Sequence, residues 1–270
     1  MRFLMALVLV AACSSSKTPP PAVRPSSTGP LTEEQFKALH ALPTSGPQDL
    51  HGQTIDLKGT KAYLSLPKGT GPFPAIVVIH EWWGLNGNIE HWADRLASAG
   101  WAALAIDLYS GTVATTRDDA MAAMKNVDDT KAAATIRAGI DFLRADPRIK
   151  ATKKAVIGWC FGGGWSMQAA LANPDLDGAI IYYGQLETDP TKLKAIKARV
   201  LGVFANRDKG IPPEKVAEFE AALKQAGVTE EIHQYDADHA FANPSNPIYD
   251  ETSAADAWSH VVAFLDMLRK

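Results

Sequence analysis

A cysteine in the middle of the chain is flanked by the residue types that a nucleophile requires. Cys160 stands between Gly158 and Gly162, after a short apolar run and before an alanine-rich segment with helical spacing. This is the pattern G-x-C-x-G, a nucleophile elbow with cysteine in place of serine. Larger side chains two residues before and after the nucleophile would collide with neighbouring backbone in such a turn. An inert buried cysteine fits this pattern alone equally well, so an acid and a base are needed to decide.

An acid and a base follow the cysteine in the order nucleophile, acid, base. Asp208 comes directly after one predicted strand, and His239 comes soon after the last one. A histidine can take the thiol proton, and a carboxylate can hold the imidazole in the required tautomer. Asp236 and Asp238 are rival acids, but they stand so close in sequence to His239 that the geometry would be awkward. We therefore predict that Cys160, His239 and Asp208 act together.

Alternating strand and helix patterns provide the elements that must position these residues. The apolar runs at residues 74–79 and 101–107 are typical of buried parallel strands, and the alternating segments at residues 53–57 and 61–66 predict an edge hairpin. Further strands are predicted at residues 155–157, 177–183, 199–205 and 230–235, and helices at 89–99, 165–171, 212–225 and 253–268, with one or two more between 115 and 145. The pattern predicts an α/β fold with a mostly parallel central sheet and helices on both faces. Ligand sites in such sheets lie beyond the carboxyl ends of the strands, where every candidate residue falls.

Composition and charge exclude several classes of protein. The 270 residues, 46% of them apolar, can form one large core, and we expect a monomer. The net charge of −3 and the lack of a basic block argue against a nucleic-acid partner. Cys13 and Cys160 are the only cysteines and form no C-x-x-C motif, which argues against a thiol redox protein. His80-Glu81 does not form the zinc motif H-E-x-x-H, because Gly84 occupies the second histidine position.

The N-terminus has the pattern of an export signal. A positive start is followed by about ten apolar residues, too few to span a bilayer, and then by Leu-Val-Ala-Ala-Cys13. This segment resembles the lipobox of bacterial lipoproteins, which implies a signal peptide at residues 1–12 and a lipidated Cys13. We then expect anchoring to a lipid bilayer of the cell envelope, the outer membrane in preference to the inner, with the domain facing the periplasm or the exterior. A plain secretory signal is the alternative. Residues 13–30, rich in Ser and Pro, are predicted to be a disordered tether, and residues 31–270 the folded domain.

Several motifs together resemble the dienelactone hydrolase family over roughly residue 60 to the C-terminus. They are His80-Glu81 with Gly84 and Asn86, Asp107-Leu108-Tyr109, the Cys160 elbow with Gly163, Tyr182-Tyr183-Gly184, the Asp208 loop and Asp238-His239-Ala240-Phe241. The resemblance implies an α/β-hydrolase fold and a Cys–His–Asp triad that cleaves an ester or lactone through an acyl-cysteine, with no metal or organic cofactor. It further implies that Glu81 contacts and helps to activate the thiol, and that the backbone N–H groups of Trp82 and Phe161 form an oxyanion hole.

The sequence departs from the family where the substrate carboxylate would bind. Dienelactone-cleaving members carry an arginine after Asp-Leu-Tyr and another soon after His-x-Phe, whereas this chain has Ser110-Gly111 and Ala242-Asn243. Loss of a charge-assisted pair in a buried site costs a few kcal/mol for an anionic ligand, so the expected small-molecule substrate is not a dienelactone anion. Binding is expected to involve Tyr109, Trp83, Phe241 and Asn243, in an aromatic pocket to which Trp82, Trp159 and Trp165 could add, although each aromatic residue could instead belong to the core. A non-catalytic small-molecule-binding lipoprotein on the same fold is the alternative function.

Overall fold

A computed structural model of the chain describes residues 50–270. The predicted signal peptide, the predicted tether, Cys13 and the predicted domain start at residue 31 lie outside the described residues. Of the helices within residues 50–270, none combines the length and the apolar character needed to cross a membrane.

One eight-stranded sheet forms the centre of the described region. Its strands are β1 (Gln53–Leu57), β2 (Thr60–Ser65), β3 (Ala75–Ile79), β4 (Ala102–Ile106), β5 (Lys154–Trp159), β6 (Gly178–Tyr182), β7 (Arg199–Ala205) and β8 (Glu230–Tyr235). They are arranged in the order β1-β2-β4-β3-β5-β6-β7-β8. β2 pairs antiparallel with both of its neighbours, and every other pairing is parallel. Every residue of β3, β4 and β6 is buried, as expected for strands with both faces covered.

Helices cover the two faces of this sheet. They are α1 (Gly87–Ser98), α2 (Arg117–Lys125), α3 (Asp129–Ala145), α4 (Phe161–Ala172), α5 (Pro190–Leu193), α6 (Pro213–Ala226) and α7 (Glu251–Arg269). Successive strand residues point to opposite faces, so Val77 belongs to one buried cluster and Val78 to another. The first cluster contains residues of α3, α4 and α6, and the second contains residues of α1 and α7. The prediction of an α/β fold with a mostly parallel sheet between two helical layers is confirmed.

The differences from the predicted elements have local causes. The segment predicted as one or two helices is two, because the Asp128 carboxylate accepts hydrogen bonds from the first N–H groups of α3 and starts a new helix there. Sequence patterns did not predict α5, which has only four residues and carries no periodic signal. Helix α4 starts at Phe161, four residues before the predicted start, because Gly162 to Gly164 are helical although glycine disfavours helices.

Backbone contacts explain the glycines on either side of the cysteine. A Cβ atom on Gly158 would lie 2.2 Å from the carbonyl oxygen of Gly162, and one on Gly162 would lie 2.3 Å from that of Ile79 at the end of β3. Gly164 differs, since its Cβ would meet Gln185 at an ordinary 3.4 Å. The turn from β5 into α4 therefore tolerates no side chain at the two flanking positions.

This contrast predicts opposite effects for two alanine substitutions in one helix. Gly162→Ala should lower the free energy of unfolding by about 3 kcal/mol, because backbone must move to admit the methyl group. Gly164→Ala is the matched control and should be neutral or stabilising by up to about 1 kcal/mol, since alanine favours helix. Urea unfolding followed by circular dichroism measures both. Equal midpoints for the two variants would contradict the steric account.

Candidate active site

Cys160 occupies a strained position between β5 and α4. Its backbone dihedrals are φ 55° and ψ −115°, a region that residues with a Cβ rarely adopt. Its N–H donates to the carbonyl of Tyr182 at the end of β6, at 3.0 Å, and its own carbonyl accepts from Gly164 at 3.1 Å. The thiol therefore lies partly exposed at the N-terminus of a helix, where the helix dipole favours negative charge.

His239 and Asp208 complete a continuous chain of contacts with the thiol. The Nδ1 atom of His239 lies 2.6 Å from Oδ2 of Asp208, and the ring is also hydrogen-bonded with Cys160. The other carboxylate oxygen, Oδ1, accepts from the backbone N–H groups of Gly210 at 2.8 Å and Ile211 at 3.2 Å. Because Nδ1 is bound to Asp208, Nε2 is the nitrogen left to exchange a proton with the thiol.

The pKa values of this pair favour transfer of the thiol proton to the imidazole ring. Burial alone would lower the pKa of His239, but the hydrogen bonds to Asp208 and Cys160, with the negative charge that Asp208 carries and that the sulfur acquires on losing its proton, raise it to about 10. Burial alone would raise the pKa of Asp208, but its hydrogen bonds to His239 and to two backbone amides hold it below the ordinary value. Asp208 is therefore suited to stabilising positive charge on the ring.

Arg207 separates the rival acids from the histidine. Its guanidinium donates to Asp236 at 2.5 Å and to Asp238 at 3.3 Å. The side chains of these two residues are 85% and 48% exposed, whereas that of Asp208 is 3% exposed. Asp236 and Asp238 thus form surface ion pairs, and Asp208 is the acid that the fold places against His239.

Glu81 lies buried near the histidine and is held by an amide. Asn243 Nδ2 donates to Glu81 Oε2 at 2.5 Å, and the Asn243 Oδ1 accepts from the N–H and the hydroxyl of Ser245. Burial raises the pKa of Glu81 to about 7, against the opposing effects of the His239 charge and the Asn243 hydrogen bond. Asn243 was expected to bind substrate. In the structure its amide joins Glu81 to Ser245, and its contact with substrate stays a prediction.

The two expected oxyanion donors follow neighbouring strands. Trp82 lies in the loop after β3 and Phe161 is the first residue of α4 after β5, and β3 pairs directly with β5. The two segments are in close contact, since a Cβ on Gly162 would lie 2.5 Å from the carbonyl oxygen of His80. The N–H groups at the start of a helix have no intrahelical acceptor, which leaves that of Phe161 available to an anion.

A cavity of about 960 Å³ opens beside the thiol, between α3 and α4. Its lining residues are spaced at helical intervals along both helices, so one face of each forms a wall. From α4 come Phe161, Gly164, Trp165, Gln168, Ala169 and Ala172, and from α3 come Asp129, Ala133, Ile136 and Arg137. Cys160, His239 and Tyr183 also line it.

The expected aromatic binding residues do not line this cavity. Phe241 is fully buried, with its ring 5.7 Å from that of Tyr183. The ring of Tyr109 packs edge-on against His80 at 4.6 Å, and that of Trp83 against Trp82 at 5.0 Å. Phe241, Tyr109 and Trp83 are thus outside the lining of this cavity, and their contact with substrate stays a prediction.

Comparison with known proteins places the chain in a family. A model of the dienelactone hydrolase family matches residues 60–268. The chain belongs to the dienelactone hydrolase family. It is 33% identical over 226 residues to protein usf of Aquifex pyrophilus, covering 79% of this chain and 97% of that protein. It is 31% identical over 228 residues to a protein of Escherichia coli K12 provisionally named carboxymethylenebutenolidase, covering 74% of this chain and 80% of that protein.

Solved structures agree with this assignment. A crystal structure from Klebsiella pneumoniae subsp. pneumoniae MGH 78578, provisionally described as a dienelactone hydrolase, superposes with a TM-score of 0.74 at 27% identity. The match covers 81% of this chain and 99% of that one. The fold is that of an α/β-hydrolase, and the chain is a hydrolase of the dienelactone hydrolase family.

Tyr183 is a site residue whose position the sequence did not reveal. It has a positive φ of 34°, lies at the end of β6 with its ring 5.1 Å from that of His239, and lines the cavity. Burial, and then the negative charge of Glu81, raise the pKa of its hydroxyl well above the ordinary value. Its only signal in the sequence was membership of the family motif Tyr182-Tyr183-Gly184.

The raised pKa of Glu81 predicts how stability depends on pH. The folded protein holds this proton more tightly than the unfolded chain, so the contribution of Glu81 to stability falls as pH rises from 4.5 through about 7. Gln does not titrate. The free energy of unfolding of Glu81→Gln should therefore rise relative to the wild type across this window, by up to about 3 kcal/mol.

Urea unfolding at a series of pH values measures this difference. Glu218→Gln is the matched control, because Glu218 is an exposed residue of α6. A Glu81→Gln difference that stays constant between pH 4.5 and 8 would show that the carboxyl does not titrate in this range.

Proposed function

We propose that this hydrolase cleaves a carboxylic ester or lactone through an acyl-enzyme formed on Cys160. The observation that supports this most directly is the chain of contacts from the Cys160 thiol through His239 to Asp208, of which the thiol and the ring line a substrate-sized cavity. A buried structural cysteine needs no such partners. Cys160, His239 and Asp208 then act as nucleophile, base and orienting acid, which are the roles that thiol hydrolases require.

Acylation is the first half of the proposed reaction. His239 takes the thiol proton at Nε2, and the sulfur of Cys160 forms a bond to the carbonyl carbon while the carbonyl π electrons move onto oxygen. The N–H groups of Trp82 and Phe161 stabilise that oxyanion, a contribution worth about 10²–10³ in kcat for each donor. When the intermediate collapses, the carbon–oxygen bond to the leaving group breaks. The leaving oxygen then takes the proton from His239.

Deacylation reverses these roles with water. Neutral His239 removes a proton from a water molecule, whose oxygen attacks the thioester carbonyl and forms a second oxyanion at the same amides. The carbon–sulfur bond breaks, the sulfur recovers its proton from His239, and the carboxylic acid leaves. Asp208 keeps Nδ1 protonated throughout and stabilises the imidazolium in each half-reaction.

Glu81 is proposed to control when the thiol ionises. Its carboxylate lies close enough to His239 to influence the charge of the ring, and like-charge repulsion disfavours a thiolate beside it. A substrate that displaces Glu81 would remove this repulsion, so the thiolate would form only in the occupied site. The resting sulfur would thereby be protected from oxidation.

The roles of the acids give a prediction with an internal control. Cys160→Ala should abolish hydrolysis of p-nitrophenyl esters, and Asp208→Asn should lower kcat by about 10³–10⁴ because the imidazole loses its orienting partner. Asp236→Asn should leave kcat unchanged, since that carboxylate pairs with Arg207 at the surface.

Steady-state kinetics and mass spectrometry of the quenched enzyme test this proposal. An acyl group should add its mass to wild type and not to Cys160→Ala. A wild type that binds esters without turnover would favour the non-catalytic binding protein, and an equal loss for Asp208→Asn and Asp236→Asn would overturn the assigned acid.

The cavity favours a neutral substrate with an apolar group. Ala133, Ile136, Trp165 and Ala169 contribute apolar surface on both helices. Among the described residues that line it, Arg137 is the cationic one, and its guanidinium is bound to Asp141 and, at 2.8 Å, to Asp175. A substrate carboxylate would have to compete with these pairs. We therefore propose a neutral ester or lactone as substrate and not a dienelactone anion.

Two esters of equal length test the charge of the preferred substrate. p-Nitrophenyl hexanoate and the mono-p-nitrophenyl ester of adipic acid differ by a terminal carboxylate, and kcat/KM should favour the neutral ester at least about tenfold. Trp165→Ala should lower kcat/KM for hexanoate about tenfold and leave acetate nearly unchanged, because only the longer chain loses apolar contact. Met121→Ala, at an exposed position outside the cavity, is the control. Preference for the anionic ester would refute this proposal.

A further inference from the structure

A cluster of two histidines and a glutamate joins the edge strand of the sheet to the last helix. Glu231 and His233 are two residues apart on β8, so their side chains lie on the same face of the sheet. His260 on α7 meets them there, and its ring stacks on that of His233 with centroids 3.6 Å apart. None of the three lines the catalytic cavity. The cluster is therefore separate from the proposed active site.

The three side chains direct ligand atoms to one place. Oε1 of Glu231 lies 2.6 Å from Nε2 of His233 and 3.3 Å from Nδ1 of His260, and all three atoms lie within 4.8 Å of one another. Two ligands at zinc–nitrogen distances and a tetrahedral angle are roughly 3.3 Å apart. The separation of Glu231 from His260 matches this spacing, whereas Glu231 and His233 are at hydrogen-bond distance, so binding an ion requires the His233 ring to turn away from Glu231 and out of its stack on His260.

Neighbouring residues orient one of the histidines for this role. The other ring nitrogen of His260, Nε2, lies 3.5 Å from Oδ2 of Asp256, one helical turn earlier on α7. The hydroxyl of Tyr235 donates to the same oxygen at 2.9 Å and fixes the carboxylate. A proton held on Nε2 toward Asp256 leaves the Nδ1 lone pair directed at Glu231. Metal-ligating histidines are usually held by a carboxylate in this way.

We propose that Glu231, His233 and His260 form a binding site for a divalent transition-metal ion, best matched by Zn²⁺. Two imidazoles and one carboxylate suit zinc, whereas Mg²⁺ and Ca²⁺ prefer oxygen ligands throughout. The three side chains are 44%, 24% and 33% exposed, so an ion can enter and keep water at a fourth position. Bound metal would cross-link β8, the edge strand that precedes the His239 loop, to α7.

Spectroscopic titration of the full chain tests the site. The protein is purified without a histidine tag, freed of metal with a chelating resin and titrated with Co²⁺, whose visible spectrum reports coordination. All variants carry Cys160→Ser, so that metal bound by the Cys160 thiol and His239 does not contribute to the Co²⁺ spectrum. Cys13 is present in every variant, so any metal that it binds is the same in all of them. One equivalent of Co²⁺ should bind and be displaced by Zn²⁺.

Single substitutions separate this site from general histidine binding. His233→Ala and His260→Gln should each weaken binding about 100-fold, and Asp256→Asn about tenfold because it acts through His260. His51→Ala removes an exposed histidine outside the cluster and should change nothing. Zn²⁺ should raise the unfolding temperature of the parent protein and not that of His260→Gln, because an ion that binds only the folded state stabilises it.

The opposite results would overturn the site. A parent protein that gives no Co²⁺ spectrum would show that the cluster is a hydrogen-bonded trio without a metal function. Equal Co²⁺ affinity in the parent protein, His233→Ala and His260→Gln would place the ion elsewhere. In an otherwise wild-type background, His260→Gln should retain ester hydrolysis, which distinguishes loss of metal from loss of fold.

Discussion

The close approach of α4 to the ends of β3 and β5 is the constraint on which the site depends. Gly162 passes so near the carbonyl of Ile79 that the space holds a hydrogen atom and no carbon. This packing lets the chain leave β5, turn through one strained residue and begin a helix at once. It also brings the backbone of His80, the residue before Glu81, against the first turn of α4. The strain at Cys160 is tolerated because the hydrogen bond to Tyr182 and the start of α4 hold the turn from both sides.

Two carboxylates near one histidine differ because their surroundings differ. Asp208 accepts two backbone hydrogen bonds and one from the ring, which stabilise its charge. Glu81 is buried and accepts a hydrogen bond from the Asn243 amide, so its charge costs more and its pKa rises to about 7. Environment alone thus gives one acid that is fixed as an anion and another that can change protonation near neutrality. The same fold can in this way orient the base with one group and respond to the substrate with the other.

The sequence was sufficient for the parallel sheet and for the tight turn around Cys160, because both leave local signals. Small residues around Cys160, and apolar runs such as Ala75–Ile79, are direct consequences of close backbone packing and of burial on two faces. From the sequence, Asp208 could be preferred to Asp236 and Asp238 as the acid only because the latter two are so close to His239 along the chain. The physical separation comes from Arg207, whose pairing with the two rivals depends on where the β7 and β8 loops meet. No local sequence pattern predicts that these two loops lie next to each other.

The residues that line the cavity were harder to predict because they come from helices and not from strand ends. Aromatic residues near the motifs were natural candidates, yet Phe241 and Tyr109 pack between loops and support His80 and Tyr183. The cavity wall instead consists of one face of α4, whose lining residues, such as Trp165 and Ala169, recur every three to four positions, and of a similar face of α3. Helical periodicity marks such faces, but it does not tell whether they pack together or leave a gap.

This division has a consequence for specificity in the dienelactone hydrolase family. The groups proposed for catalysis project from strand ends and the turns that follow them, which the sheet holds rigidly. The cavity wall projects from α3 and α4, where a substitution changes the shape or charge of the groove without moving the thiol, the imidazole or the carboxylate. In this chain, the cationic residue at that wall, Arg137, is already paired with Asp141 and Asp175. A preference for a neutral apolar ligand therefore requires no change in the reacting groups. It requires only that the helix surface has no unpaired cation with which an anionic substrate could pair.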